Sequence, residues 1–401
     1  MQQEILALES IKPISRIEAT TGERELKSKK SCLSPTRSSA RQRSIAPVPF
    51  SLLMAIDHYK HYFPVNVRQL LGYAAFSVAR PNPKGMRRLK GVLEQHIKSL
   101  SMEVTSICNA NCQFCGYEHQ KRPKEIMSNA LFRYSIGQYV DVGGGRLDLT
   151  PIVGDPLVDK GLVDKIRFAK QKEMTYVSLF TNLIGLGSFN LRDFLSSGID
   201  EINISTCFGG RKMYARIFGV DRYDAVMHHL DSLLQENRRL GNRVRIIIHL
   251  KGDKPYRQMT SSPEYRRICK LYGRNICHID DQYDNWTGLV EEDDLPKHHT
   301  FRKVQNISEP CSELYNGMII FANGDVSVCW RRDLDAKLVL GNIHESSLKE
   351  MWRGERLHTI REKWVKGIPP VVCRRCYCYS PLSRYLAMGR FSILSMETQE
   401  E

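Results

Sequence analysis

The chain has 401 residues, 42% hydrophobic and 26% charged, with a formal net charge of +15. That length allows two or three cores, and twelve cysteines in so long a chain are too few for a disulfide scaffold. No stretch reaches the ~18 uninterrupted apolar residues of a spanning helix, and Met1-Gln2-Gln3-Glu4 lacks the charged and apolar regions of a secretory signal, so the expected location is cytoplasmic.

The positive balance favours anionic partners: phosphorylated or carboxylated small molecules, nucleic acid or a membrane surface. No compact run of Lys and Arg alternates with aromatics, so a plain solvated basic surface is an equally good reading. Cysteines at short spacings point to metal ligands in a reducing compartment.

Residues 1–44 are polar and rich in Ser, Arg and Lys from Glu23 to Ser44. With little to bury, they are expected to be a disordered basic tail. Residues 45–98 shift to apolar and aromatic, with Phe50, Leu53, Tyr59, Phe63, Leu70 and Phe76. They are expected to form a helical extension split at Pro64. It packs on the main domain or supports a partner contact, with a membrane-touching pair as the weaker alternative. Met86–Leu100 reads as a helix leading into the first strand.

From 99 to 300 strand and helix patterns alternate. Strand-like runs fall at Glu103–Thr105, Leu147–Ile152, Thr175–Phe180, Glu201–Ser205, Val244–Leu250 and Ile276–Asp280. Helical patterns lie between several of them, clearest at Tyr223–Leu240, where Val226, Leu230, Leu233 and Leu234 share a face and Gly241 marks the stop. Leu162–Ala169 and Leu191–Leu195 give two more. Such alternation predicts a parallel sheet with helices outside it, and reactive groups at the carboxyl ends of the strands. Gly143-Gly144-Gly145 and Gly185-Leu186-Gly187 do not complete a dinucleotide fingerprint. The pairs His228-His229 and His298-His299 point to different faces and read as packing or surface residues.

The stretch that organises the chain is Cys108-Asn109-Ala110-Asn111-Cys112-Gln113-Phe114-Cys115, directly after the first strand-like run. Its C-x3-C-x2-C spacing can bring three thiolates to one point. A cubic 4Fe–4S cluster accepts four ligands, so three leave one iron open for chemistry. The segment resembles the cluster loop of the radical S-adenosylmethionine (radical SAM) superfamily, with Phe114 as the aromatic beside the last cysteine. The resemblance implies a partial (β/α)6 barrel, a 4Fe–4S cluster on Cys108, Cys112 and Cys115, and S-adenosylmethionine on the open iron. It also implies reductive cleavage to a 5′-deoxyadenosyl radical that takes a hydrogen from substrate. Three further places fit it. Gly154-Asp155-Pro156 resembles the Gly-Glu-Pro turn that holds the SAM amino group, with Asp for Glu and Val153 for the preceding Gly. Thr181-Asn182 resembles the Thr-Asn-Gly motif, with Leu183 where Gly is usual. Ser205 falls where a hydroxyl often contacts SAM.

The C-terminal third repeats the thiol theme. Two strand runs flank Asn323-Gly324-Asp325, a strong hairpin signal, with Cys311 before it and Cys329 at its end; Cys373-Arg374-Arg375-Cys376-Tyr377-Cys378 follows far downstream. Two thiols from the hairpin and two from the C-x2-C loop suit a tetrahedral zinc or a fully ligated 4Fe–4S cluster. Here the residues resemble the SPASM/Twitch-like region appended to many radical SAM enzymes, in its shorter single-cluster form. That implies an auxiliary 4Fe–4S cluster on Cys311, Cys329, Cys373 and Cys376, with Cys378 as a substitute for Cys376. Cys32, Cys207, Cys269 and Cys277 have no partner at ligand spacing and are expected to be inert. The expected division is therefore radical SAM core 99–300, a small cysteine-rich C-terminal auxiliary-cluster domain 301–385 and a tail 386–401.

The function implied is hydrogen abstraction from an anionic small molecule, such as a phosphate-bearing sugar or nucleotide. The auxiliary cluster would accept an electron, giving net oxidation, or shape the substrate pocket, with a redox-neutral epimerisation or elimination as the runner-up outcome; a flavodoxin or ferredoxin would serve as one-electron donor. A peptide- or protein-modifying maturase is the alternative within the class. Outside it stands a zinc- or cluster-stabilised nucleic-acid-binding protein. No acid–base residue is identifiable from the sequence.

Overall fold

The computed structural model describes residues 83–387 except 274–275, 281, 296–299, 302–306 and 308. The tail expected at 1–44, the extension up to residue 82, the end of the tail expected at 386–401, Cys32 and the pair His298-His299 lie outside the described residues.

The chain opens with helix α1 (Pro83–Gln95) and strand β1 (Ser99–Met102), then α2 (Asn129–Asp141) and β2 (Arg146–Asp148). Next come α3 (Leu162–Gln171), β3 (Tyr176–Thr181), α4 (Leu191–Leu195) and β4 (Glu201–Thr206). Helices α5 (Arg211–Phe218) and α6 (Tyr223–Arg239) precede β5 (Arg245–Leu250), and α7 (Tyr256–Met259) and α8 (Pro263–Tyr272) precede β6 (Cys277–Ile279). Strands β7 (Gln282–Tyr283) and β8 (Thr300–Phe301) form a separate parallel pair. The C-terminal region supplies β9 (Gly317–Ile320), β10 (Asp325–Ser327), β11 (Val339–Asn342), α9 (Leu348–Arg353), α10 (Glu355–Val365) and α11 (Leu382–Ala387).

Nine strands make one sheet in the order β11-β10-β9-β1-β2-β3-β4-β5-β6. From β1 to β6 every neighbour is parallel, with helices in the crossovers, as right-handed strand–helix–strand units require. The β4/β5 ladder is the longest, from Glu201 opposite Arg245 to Thr206 opposite Leu250. Helix α6 turns Val226, Leu230, Leu233 and Leu234 inward, each worth about 1.5–3 kcal/mol of apolar burial. This is the partial (β/α)6 barrel with a C-terminal cysteine-rich region.

The expected first strand, Glu103–Thr105, is displaced. Ser99–Met102 pairs with β2 on one side and β9 on the other, so Ser99 and Leu100 leave the helix expected over Met86–Leu100. Neighbours on both edges outweigh local helical propensity. Thr105 instead makes an isolated antiparallel bridge with Ile126. Helices α2, α5 and α8, unassigned from sequence, owe their starts and stops to local caps. Ser128 accepts from Leu131 N and Ser262 from Tyr265 N, while Gly219 closes α5 in the left-handed region.

The hairpin around Asn323-Gly324-Asp325 is present as β9 and β10. It joins the barrel's own sheet, with β9 parallel to β1, Ser99 opposite Gly317 and Met102 opposite Ile320. A Cβ on Gly317 would lie 2.0 Å from Ser99 O, so this close approach requires glycine. The two thiol-bearing regions therefore flank one shared strand pair.

Candidate active site and second thiol cluster

The loop Cys108–Cys115 follows β1 at the carboxyl rim of the sheet. It is pinned from three sides. Asn111 N and Gln113 N donate to Phe218 O and Ile217 O at the end of α5, both at 3.0 Å. Tyr117 Oη accepts from Cys108 N at 3.0 Å, and Cys115 N donates back to Cys112 O at 2.9 Å. Trp286 Nε1 donates to Phe114 O at 2.9 Å.

The three thiols are half-buried and lie within electrostatic reach of one another. Burial pushes Cys108 up to about 12, Asp155 and Cys115 adding to it. Burial raises Cys112 well above the usual thiol range, with Cys115 and Cys108 next in weight, and raises Cys115 to about 11. Without a cation the set stays protonated; a metal centre that displaces the protons relieves that penalty. The carboxylates that bear on the thiols are committed elsewhere. Asp155 accepts from Leu157 N, Thr181 Oγ1 and Asn182 N at 2.6–3.0 Å; Asp284 accepts from Trp286 N at 2.9 Å and pairs with Arg332. The buried Tyr214 hydroxyl, electrostatically coupled to Cys112 and Cys108, has no hydrogen-bond partner among the described residues. An unmet buried donor near Cys112 and Cys108 fits a group that brings acceptors with it, as a sulfide-bearing cluster does.

Among the described residues no group of three or more His, Cys, Asp or Glu is closed up enough for a single metal ion.

Around the thiols lie several of the residues expected from sequence to contact SAM. Gly154 has φ +124, and a Cβ there would stand 2.7 Å from Thr105 O, while Asp155 N donates to Ile107 O at 2.9 Å. The turn is thus strapped to the base of the cluster loop. Burial raises Asp155 to about 6 against its hydrogen bonds, and its side chain staples the turn to Thr181 and Asn182. Asn182 Nδ2 donates to Asn109 Oδ1 at 2.7 Å and approaches Cys108 Sγ at 3.7 Å. Phe114 packs edge-on to Phe218 at 5.8 Å and against Tyr283 at 5.3 Å. Ser205 lies opposite His249 in the β4/β5 ladder.

Sequence reasoning missed a polar track inside the barrel. Asn203 Oδ1 meets His249 Nε2 at 3.1 Å, His249 Nδ1 lies 3.5 Å from Asp280, and Asp280 pairs with Lys251. Lys251 Nζ also sits over the rings of Phe114 and Tyr283, at 5.3 and 5.2 Å. Burial pushes Asp280 up, but Lys251 and His249 outweigh it and hold the carboxyl below the usual carboxylate range. The signal was available: His249 and Lys251 are two apart at the end of one strand and so share a face.

In the second region, Cys311 precedes β9, Cys329 follows β10, and Cys373 and Cys376 sit in a turn after α10. Each of the four bears electrostatically on others of the set, and burial raises all of them, Cys311 to about 12 and Cys329 to about 11. Glu313 accepts from Trp330 Nε1 at 2.6 Å and Arg331 Nε at 2.7 Å, fixing the chain on both sides of the hairpin. Asp333 accepts from Ser327 Oγ, Lys337 N and Leu338 N and closes the turn after Cys329. Cys378 bears on Cys376 and on Arg332. Arg332 also bears on Cys115 and stacks on Trp286 at 4.1 Å, so one guanidinium stands between the two thiol sets. Of the cysteines expected to be inert, Cys207 is buried, and Cys277 is hydrogen-bonded to Cys269. His229 packs as expected, its Nδ1 3.0 Å from Leu183 O.

The fold and the two thiol sets resemble those of radical SAM proteins with a C-terminal SPASM region, a class whose cofactors are S-adenosylmethionine and 4Fe–4S clusters. Residues 311–377 match SPASM, an iron–sulfur cluster-binding domain. The chain is similar to a protein named probable GTP 3′,8-cyclase from Saccharolobus islandicus, 28% identical over 144 residues that cover 34% of this chain and 44% of the relative. It is also similar to the GTP 3′,8-cyclase of Shewanella denitrificans, 26% identical over 154 residues, 37% of this chain and 44% of that one. The matches thus span less than half the length of these relatives. Among solved structures, BtrN in complex with AdoMet and 2-DOIA is 17% identical, with 72% of this chain and 96% of that chain covered and a TM-score of 0.46. Among the described residues no helix is long and apolar enough to cross a membrane.

Proposed function

We propose that the chain is a radical SAM enzyme that abstracts hydrogen from an anionic small molecule, with net oxidation completed through a second cluster. In this reading Cys108, Cys112 and Cys115 hold the first 4Fe–4S cluster, and Cys311, Cys329, Cys373 and Cys376 the second. When bound, the first cluster and SAM supply a 5′-deoxyadenosyl radical. The observation that carries the reading is the set of three half-buried thiols on one rim loop, with the nearby carboxylates engaged elsewhere, so that a cluster there keeps an open corner.

The chain's own residues supply the rest. The Gly154 turn and Asn182 flank Cys108 and shape the place for the SAM amino acid moiety, while Phe114 walls it. Lys251, paired with Asp280, offers a basic contact for an anionic substrate at the barrel mouth, in keeping with the net charge and with relatives named for GTP. His249 and Asp280 line the same track as Lys251 and offer polar contacts to a substrate hydroxyl.

Anaerobic reconstitution tests this. The protein is expected to be brown, to bind about eight irons, and to form 5′-deoxyadenosine from SAM on reduction. A colourless protein with two zincs and no SAM cleavage would sink the reading in favour of a metal-stabilised binding protein.

A further inference from the structure

Beside the second thiol set lies an open groove of ≈ 640 Å³ between α10 and the segment leading to Cys373. Its apolar part includes Ile368 and Val371, 55% and 77% exposed, unusual for side chains whose burial is favourable. Its rim carries Lys337, Arg356, Lys363 and Arg374, all exposed, against one acid, Glu355. None of the four cations has an ion-pair partner among the described residues. The groove's edge residues Val371 and Arg374 flank Cys373 in sequence, so anything seated there comes within a residue of the thiol loop.

We propose that this groove is the docking surface for an acidic one-electron carrier protein. A cationic rim around a small apolar centre steers a negatively charged partner and then excludes water, the design of short-lived electron-transfer encounters. The apolar centre suits a protein face better than a phosphate backbone, and the chain's own Glu23–Ser44 stretch is Lys/Arg-rich and carries the rim's sign. The proposal rests on the reading of Cys311, Cys329, Cys373 and Cys376 as holding a redox group. Each encounter takes one electron out of that group and reduces the carrier's flavin or iron–sulfur centre by one.

The test titrates reconstituted full-length protein with an acidic flavodoxin, read by flavin fluorescence at about 50 and about 300 mM salt. Salt is expected to weaken binding by about tenfold or more, and the double variant R356E/K363E to weaken it by a similar factor at low salt. Thr359→Glu, which places one negative charge in the groove, is the milder second variant and should weaken binding by about threefold or more. Iron content and dithionite-driven SAM cleavage should match wild type in both variants. The affinity measurement does not depend on turnover, so a failed radical SAM reading and a failed docking reading give different results. Flavodoxin affinity unchanged by both variants would overturn the proposal. So would a single-stranded DNA oligonucleotide that binds more tightly than flavodoxin and is lost in the same variants.

Discussion

The two thiol sets reach similar electrostatic states by opposite routes. The first sits on one short loop, Cys108 to Cys115, anchored by backbone bonds to α5. The second is gathered from the start of β9, the end of β10 and a turn after α10. In both, burial is the leading reason that the thiols resist ionisation without metal. They differ in surroundings. The first has Lys251 and Arg332 nearby, pulling Cys112 and Cys115 back down, whereas Glu313 and Asp333 push Cys311 and Cys329 further up. A local site can be built by spacing; a dispersed one depends on the fold holding each piece, here through Glu313 and Asp333.

The sharpest way to break the comparison is to remove one thiol from each set. Cys112→Ala should lower 5′-deoxyadenosine formation by about 10³-fold or more and remove about four irons per chain. Cys376→Ala should lose a similar amount of iron and abolish product while SAM cleavage persists. Equal 5′-deoxyadenosine from Cys112→Ala and wild type would mean that the roles of the two sets are misassigned.

The link between the sets is the next target. Arg332→Met removes the guanidinium that pairs with buried Asp284 and should cost about 3–5 kcal/mol in urea unfolding of the metal-free chain. At the first site alone, Gly154→Ala forces a Cβ against Thr105 O at a φ of +124 and should cost about 2–4 kcal/mol by the same measurement. The smallest effect belongs to Trp286→Phe. Phe114 O loses its indole donor, with a loss of about 1–2 kcal/mol, and the tryptophan emission that reports on the first loop decreases. A Trp286→Phe loss as large as that of Arg332→Met would show that the indole, and not the ion pair, joins the two regions.

The C-x3-C-x2-C loop, the hairpin turn at Asn323-Gly324 and the amphipathic face of α6 were all legible in the sequence, because spacing, turn chemistry and period are local properties. The position of β1 was not. Ser99–Met102 becomes a strand because β2 and β9 offer hydrogen bonds on both edges, and β9 lies more than two hundred residues away. The role of Asp155 was half legible. Its place beside the loop followed from the motif, but its commitment to Thr181 and Asn182 exists only once two strand ends meet.

From its own letters, then, the chain determined which residues carry sulfur, how three are spaced on one turn, and where helices and strands alternate. Tertiary structure decided what those letters cannot carry. It placed the hairpin on the barrel's own sheet, set Lys251 over the ring of Phe114 and paired it with Asp280, and stood Arg332 between the two thiol sets. The physical reason is range. Propensity and spacing act over a few residues, whereas ion pairs, close glycine contacts and shared strand edges form between segments that only the folded chain brings together.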